Sequence, residues 1–137
     1  INKYLIPTGI FIKVKNSIYD FLSFENIGKK LNYFKKKKLN AKFKGFDTTF
    51  VIKKNSRNFV GSLKNNKSNI EVNFFSNLPG VQLYSAQNLK YKKKLFPYQG
   101  ICLETQYFPD TPNKKNFPST LIKPNKRYTC FTKIKIT

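Results

Sequence analysis

Hydrophobic and polar residues alternate with a period of two along most of this chain. Successive side chains of a β-strand point to opposite faces of a sheet, so such alternation predicts strands. The segments that show the alternation, or a short apolar run, are 10–15, 50–52, 70–75, 81–84, 101–106 and 131–136. The pattern therefore predicts a chain built mainly from short strands.

Turn-forming residues separate the predicted strands. Clusters of Gly, Pro, Asn and Ser occur at 7–9, 54–56, 65–68, 79–80 and 124–125, and these residue types favour turns. Residues 27–39 have room for one helical turn, but the lysine run within them favours a solvated loop. Short strands with frequent turns predict an all-β fold, an antiparallel β-sandwich.

The 137 residues predict a single domain covering 1–137, without an internal repeat or boundary. Cys102 and Cys130 lack metal-ligand spacing. We expect two buried free thiols in a reducing compartment rather than a disulfide, which two cysteines also permit. No apolar run reaches transmembrane length and no signal peptide is recognisable. We therefore expect a cytoplasmic protein with no membrane partner, no cofactor and no metal.

The net charge of +21 raises the possibility of a nucleic-acid partner. Lysines cluster at 35–38 and 92–94 beside aromatic residues, a mixture that suits phosphates and bases. Only Arg57 and Arg127 are arginines, however, and Lys, Asn, Ile and Phe are enriched together along the whole chain. This composition is typical of an AT-rich coding sequence. We expect nonspecific polyanion binding and no specific nucleic acid.

One of only six acidic residues, Glu104, lies within the predicted strand at 101–106. Alternation places Glu104 on the face opposite Leu103, and it places Gln82 on the face opposite Val81 and Leu83. If the two strands are neighbours, the carboxylate and the amide line one polar face suited to sugar hydroxyls, and partial burial would increase the basicity of Glu104. Without further information, a solvent-facing glutamate is the simpler interpretation.

Longer motifs surround these residues. They are Gly45-Phe46-Asp47, Pro79-Gly80-Val81-Gln82-Leu83-Tyr84 and the run from Gly100 to Asn113, G-I-C-L-E-T-Q-Y-F-P-D-T-P-N. Together with L-I-P-T-G at 5–9, they closely resemble the C-terminal part of the aldose 1-epimerases, the galactose mutarotases. The resemblance implies the mutarotase-like supersandwich fold, Glu104 as catalytic base, and sugar contacts from Asp47 and Gln82.

The chain departs from the family pattern at several places. Thr48 stands where the family has His, Ala86-Gln87 where it usually has Gly-Asn, and Lys114-Lys115 where it commonly has His-Pro. Asn125 replaces the Gly of a P-G-E turn, and Asn is the best substitute for Gly where φ must be positive. The fold is therefore expected to survive this last change, and the Pro-Asp-Thr-Pro-Asn segment is predicted to be a rigid structural loop.

The resemblance implies exchange between the α and β anomers of free aldohexoses such as galactose and glucose. The family's acid is a histidine from an earlier part of the enzyme, and this chain contains no His. We therefore expect a C-terminal fragment that is inactive alone and whose partners are the sugar and a missing N-terminal portion. Two alternatives stay open, a noncatalytic carbohydrate-binding remnant and a basic polyanion- or nucleic-acid-binding protein.

Overall fold

The computed structural model describes residues 1–36 and 44–137. Short strands dominate this part of the chain, and they form two three-stranded sheets with the orders β1-β4-β5 and β2-β3-β6. The elements are α1 (Ile27–Lys36), β1 (Asp47–Val51), β2 (Phe59–Asn65), β3 (Ile70–Ser76), β4 (Gly80–Tyr84), β5 (Cys102–Gln106) and β6 (Thr132–Ile136). The predicted all-β, antiparallel fold class is confirmed, with the addition of one short α-helix and a 3₁₀ turn at Thr111–Asn113 among the described residues.

The described chain is organised as two compact units. The first comprises 1–7, 49–82 and 104–137, and the second comprises 8–48 and 83–103. Each of β1, β4 and β5 carries residues of both units. The expectation of a single domain over the whole chain stays a prediction.

The β2-β3-β6 sheet belongs entirely to the first unit. β3 pairs antiparallel with β2 on one side and with β6 on the other. A turn at 66–69 connects β2 to β3, and Asn69 ends it with φ 55°. Asn125 likewise has φ 60° in its own turn, which confirms that an asparagine can replace glycine there.

Helix α1 corrects the predicted loop. Asn26 begins it, because its Oδ1 accepts a hydrogen bond from the Lys29 backbone N–H at 2.9 Å. Leu31 and Phe34 lie three residues apart on one face and are buried. Lysine is a good helix former, so a lysine-rich segment with one apolar face is helical once that face is covered. The last residues of the predicted loop, 37–39, lie outside the described part of the chain.

An aromatic cluster forms the core of the second unit. Phe46 is fully buried, and its ring makes edge-to-face contacts with three others. The centroid distances are 5.1 Å to Phe34, 5.3 Å to Phe21 and 6.1 Å to Tyr19. Such geometries are favourable for ring quadrupoles. Phe46 thereby connects the helix, the N-terminal segment and the residues that lead into β1.

Two local predictions were wrong, and one strand was not predicted. Residues 10–15 belong to no strand, and Ile10 and Ile12 are highly exposed despite the alternating pattern. β2 was not predicted, because Gly61 and Ser62 interrupt its apolar pattern. Cys102 and Cys130 are free thiols as expected, but both are exposed rather than buried, and Cys130 precedes β6.

Candidate functional site

The β1-β4-β5 sheet carries all three residues singled out in the sequence. Asp47 is the first residue of β1, Gln82 is the central residue of β4 and Glu104 is the central residue of β5. β4 is hydrogen-bonded to both neighbours, so the strands that carry Gln82 and Glu104 are adjacent, which the sequence alone left open. Gln82 and Glu104 belong to the first unit and Asp47 to the second.

Burial along β4 follows the predicted alternation. Val81 and Leu83 are buried, whereas Gln82 is half-buried. On β5, Leu103 is half-buried and Glu104 is exposed. Glu104 is therefore solvent-facing, which is the simpler of the interpretations that the sequence allowed. The Glu104 carboxylate is accessible to a ligand from bulk water.

Gln82 is held by a residue that the sequence analysis missed. The Thr49 hydroxyl donates a hydrogen bond to Gln82 Oε1 at 2.5 Å, across the β1–β4 pair. The Ile52 N–H also donates to the Pro79 carbonyl at 2.9 Å, which continues this pairing beyond the strand ends. A signal was present in the sequence, since Thr49 is two residues from Asp47 and therefore lies on the same face of β1.

The glycine of the Pro-Gly-x-Gln motif allows close packing. A Cβ placed on Gly80 would lie 2.9 Å from two ring carbons of Phe108 and 3.2 Å from the Thr49 methyl carbon. Real Cβ atoms do not approach an aromatic ring this closely, so only glycine fits without rearrangement. Phe108 is buried and also packs against Phe117, at a centroid distance of 5.1 Å. Gly80 thus allows the residues that follow β5 to pack against β4.

A buried polar network fixes the backbone that leads into Asp47. The Phe46 N–H donates to Ser85 Oγ at 2.8 Å, and the Ser85 N–H donates to the Phe46 carbonyl at 3.0 Å. Ser85 Oγ also donates to Gln87 Oε1 at 2.9 Å. A Cβ on Gly45 would lie 2.7 Å from that same oxygen. The glycine of the Gly-Phe-Asp motif is therefore required by the packing of this network.

The same network lies at the departure from the family pattern at 86–87. Ala86 adopts φ 52°, a left-handed conformation that costs a non-glycine residue free energy. Gln87 is buried, and its Nε2 has no hydrogen-bond acceptor among the described residues. Both features correspond to positions where the resembled family has Gly and Asn. The substitution is accommodated with local strain and one unsatisfied donor.

The Pro-Asp-Thr-Pro-Asn segment forms a rigid loop, as predicted. Asp110 has φ 63°, and its Oδ1 accepts a hydrogen bond from Asn113 Nδ2 at 2.5 Å. Lys114 forms an ion pair with the other carboxylate oxygen, and the Thr111 hydroxyl donates to the Phe108 carbonyl at 2.6 Å. The hydrogen bonds from Asn113 and Lys114 lower the pKa of Asp110 below its usual value.

Within the described ranges 1–36 and 44–137, no three His, Cys, Asp or Glu residues form a group that could hold a metal ion. Within the same ranges, no helix has the length and apolar character needed to cross a membrane.

Several named proteins match nearly the whole chain in sequence. The galactose mutarotases of Rattus norvegicus, Bos taurus and Homo sapiens are 30%, 31% and 31% identical to it over 135 residues. Each alignment covers 93% of this chain and 37% of the relative. The chain thus spans little more than a third of the length of these relatives.

The fold has a counterpart among solved structures. The crystal structure of the GalM/aldose epimerase homologue from C. elegans superposes with a TM-score of 0.84 at 22% identity, covering 100% of this chain and 42% of that one. At this identity the similarity shows the fold. The family model for aldose 1-epimerase matches residues 1–135, and the chain therefore belongs to the aldose 1-epimerase family.

Proposed function

We propose that this chain provides the catalytic base and sugar contacts of an aldose 1-epimerase acting on free aldohexoses such as galactose and glucose. The observation that carries the proposal is the adjacency of β4 and β5 within one family-matched chain. This adjacency brings the Gln82 and Glu104 strands together in the first unit. An exposed carboxylate on the strand next to that of a half-buried amide is suited to a polyhydroxylated ligand that arrives from water.

Glu104 is the proposed general base. Its carboxylate takes the proton of the anomeric hydroxyl while an acid protonates the ring oxygen, and the C1–O5 bond breaks to give the open-chain aldehyde. Rotation about C1–C2 and closure on the other face deliver the other anomer and return both protons. A well-positioned proton transfer accelerates such a reaction by about 10²–10⁴-fold.

Gln82 and Asp47 are the proposed sugar contacts. The Thr49 hydrogen bond fixes the orientation of the Gln82 amide, so its position is set before a ligand arrives. Asp47 is half-buried and directly follows a backbone that the Ser85 hydroxyl holds. A carboxylate carried by a fixed backbone accepts sugar hydroxyls with less loss of entropy than one on a mobile segment.

The proton donor for the ring oxygen is not supplied by histidine within these 137 residues, since the sequence contains none. We therefore propose that these residues alone bind sugar weakly and do not exchange anomers. The complete reaction would require an acid from outside them. The cytoplasmic setting expected from the sequence stays a prediction.

A chimera tests this proposal directly. The matched C-terminal 37% of human galactose mutarotase would be replaced by this chain, and the mutarotation of freshly dissolved α-D-galactose would be followed by polarimetry. We expect faster anomer exchange than in buffer, lost by about 10²-fold or more in Glu104→Gln. Glu71→Gln, on β3 of the other sheet, is the matched control and should retain the rate.

Two results would contradict the proposal. A folded chimera whose rate is unchanged by Glu104→Gln would exclude Glu104 as the base. Acceleration by the 137-residue chain alone, if lost in Glu104→Gln, would show that a complete site with an acid exists within these residues.

A noncatalytic carbohydrate-binding protein is the second candidate function. The lack of histidine and the departures at Thr48 and at Ala86-Gln87 favour it. Saturation-transfer NMR with galactose, combined with the activity of the chimera, distinguishes the two functions. Sugar binding that is weakened by Asp47→Asn, together with a folded chimera that does not exchange anomers, would identify this candidate.

A further inference from the structure

An open depression of about 490 Å³ lies on the β2-β3-β6 sheet, and none of the residues assigned to the sugar site lines it. Its lining residues are Asn55, Arg57, Phe59, Asn73, Phe75 and Lys135. All six belong to the first unit. The lining thus combines two cations, two amides and two phenylalanines, with no carboxylate.

The strand register extends the positive charge of this depression. Lys135 of β6 lies opposite Asn73, and Lys133 lies opposite Phe75. The acidic residue that alternation places on the same face of β3 is Glu71, and Lys64 lies directly opposite it on β2. The face therefore has a net positive charge, which suits a phosphate-bearing ligand.

The two phenylalanines are cross-strand partners. Phe59 of β2 lies opposite Phe75 of β3, with a ring-centroid distance of 5.6 Å and an interplanar angle of 65°. The exposed fraction of Phe59 is 39%, so part of this aromatic pair faces solvent. Aromatic rings on adjacent strands of a sheet are a platform on which unpaired bases can stack.

The turn before β2 fixes Arg57 beside this platform. Asn55 Oδ1 accepts hydrogen bonds from the backbone N–H groups of Arg57 at 3.1 Å and Phe59 at 3.0 Å. Asn55 Nδ2 donates to the Phe59 carbonyl at 2.9 Å. The guanidinium-bearing residue and the aromatic residue are therefore held in one preorganised turn.

We propose that this depression binds single-stranded nucleic acid, with Phe59 and Phe75 stacking on bases and Arg57, Lys133 and Lys135 contacting phosphates. The depression is open, which suits a strand that passes across it better than an enclosed small molecule. Stacking and phosphate contacts tolerate any base sequence. The proposal is therefore compatible with the expectation that this protein has no sequence-specific nucleic-acid partner.

The proposed phosphate contacts are tested with a fluorescein-labelled dT12 oligonucleotide. Its binding to the full chain is measured by fluorescence anisotropy at several salt concentrations. Each phosphate contact on a single strand contributes about −0.7 to the slope of log K against log salt. Arg57→Gln with Lys135→Gln should reduce the magnitude of the slope by about 1.4. Lys29→Gln with Lys36→Gln removes the same charge from exposed positions of α1 and should change the slope much less.

The proposed stacking of bases on the phenylalanines is tested by Phe75→Leu, which should weaken dT12 binding by about 10-fold. Phe24→Leu is the matched control, since Phe24 is 67% exposed and lies outside the depression. Photocrosslinking of a 5-bromodeoxyuridine strand to the unmodified chain provides an independent readout if Phe75→Leu fails to fold. Crosslinks at 57–59, 73–75 or 133–135 would support the proposal.

Three results would overturn it. Equal changes of the salt slope in the two double variants would show that binding reflects net charge alone. Crosslinks confined to other segments would exclude this face as the binding site. Competition by thymidine monophosphate at a concentration matching the nucleotide units of dT12 would overturn a strand as the occupant and assign a free nucleotide.

Discussion

Replacing Phe46 by alanine should destabilise the second unit more than any other aromatic truncation there. Phe46 is fully buried and has three edge-to-face ring partners, Tyr19, Phe21 and Phe34. Truncation of a buried phenylalanine typically costs about 3–5 kcal/mol, and each aromatic pair adds about 0.5–1.5 kcal/mol beyond the buried area. Because all three ring pairs are lost together, we expect the free energy of unfolding to fall by an amount near the upper end of that range, about 4–5 kcal/mol.

Urea unfolding followed by far-UV circular dichroism measures this loss. With an m-value of about 2 kcal/mol per molar urea, the midpoint should fall by about 2 M. Phe24→Ala is the matched control, because Phe24 is 67% exposed, and its change in unfolding free energy should stay within about 0.5 kcal/mol. Asp47 directly follows Phe46, so Phe46→Ala should also weaken galactose binding.

Equal midpoints for the two variants would refute this reasoning. That result would mean that the aromatic cluster is not a cooperative core. A lower midpoint with unchanged amide-exchange protection in α1 would instead show that Phe46 does not connect the helix to the rest of the second unit.

Three further substitutions test local features. Gly80→Ala should cost about 1–3 kcal/mol, because the new Cβ would meet the buried Phe108 ring at 2.9 Å; urea unfolding measures the cost, and Phe108→Leu in the same chain should relieve part of it. Ala86→Gly should raise the Tm by about 2 °C, since relief of the left-handed strain at φ 52° exceeds the loss of one buried methyl group; a lower Tm would contradict this. Asp110→Asn tests the lowered pKa of Asp110, whose largest cause is the hydrogen bond from Asn113. A depressed folded-state pKa gives stability that is present above the usual value of 3.8 and is lost as the pH falls through the folded-state pKa. The Tm difference between the native chain and Asp110→Asn should therefore be larger at about pH 7 than at about pH 3, and a difference independent of pH would refute the assignment.

The candidate site could be predicted in part, because motif residues specify strands and tight packing locally. Alternation within the Pro-Gly-x-Gln and L-E-T-Q motifs predicted the strands that carry Gln82 and Glu104, and the structure adds that these strands are neighbours. The spacing of Thr49 from Asp47 places both on the same face of β1, but the hydrogen bond from Thr49 to Gln82 depends on a pairing between residues 33 positions apart. The exposure of Glu104 likewise depends on the surroundings of β5.

The sequence by itself determined the strands at Ile70–Ser76, Gly80–Tyr84, Cys102–Gln106 and Thr132–Ile136, together with the left-handed turn at Asn125. These features follow from side-chain alternation and from backbone preferences that act within a few residues.

Only the tertiary structure decided which of the periodic segments form a strand or a helix. The alternating run at 10–15 forms no strand, whereas the lysine-rich segment becomes α1 through the burial of Leu31 and Phe34. The position of Phe46 at the centre of a core is equally non-local. The physical reason is that a strand needs a partner and an amphipathic helix needs a covered face, and both come from distant parts of the chain.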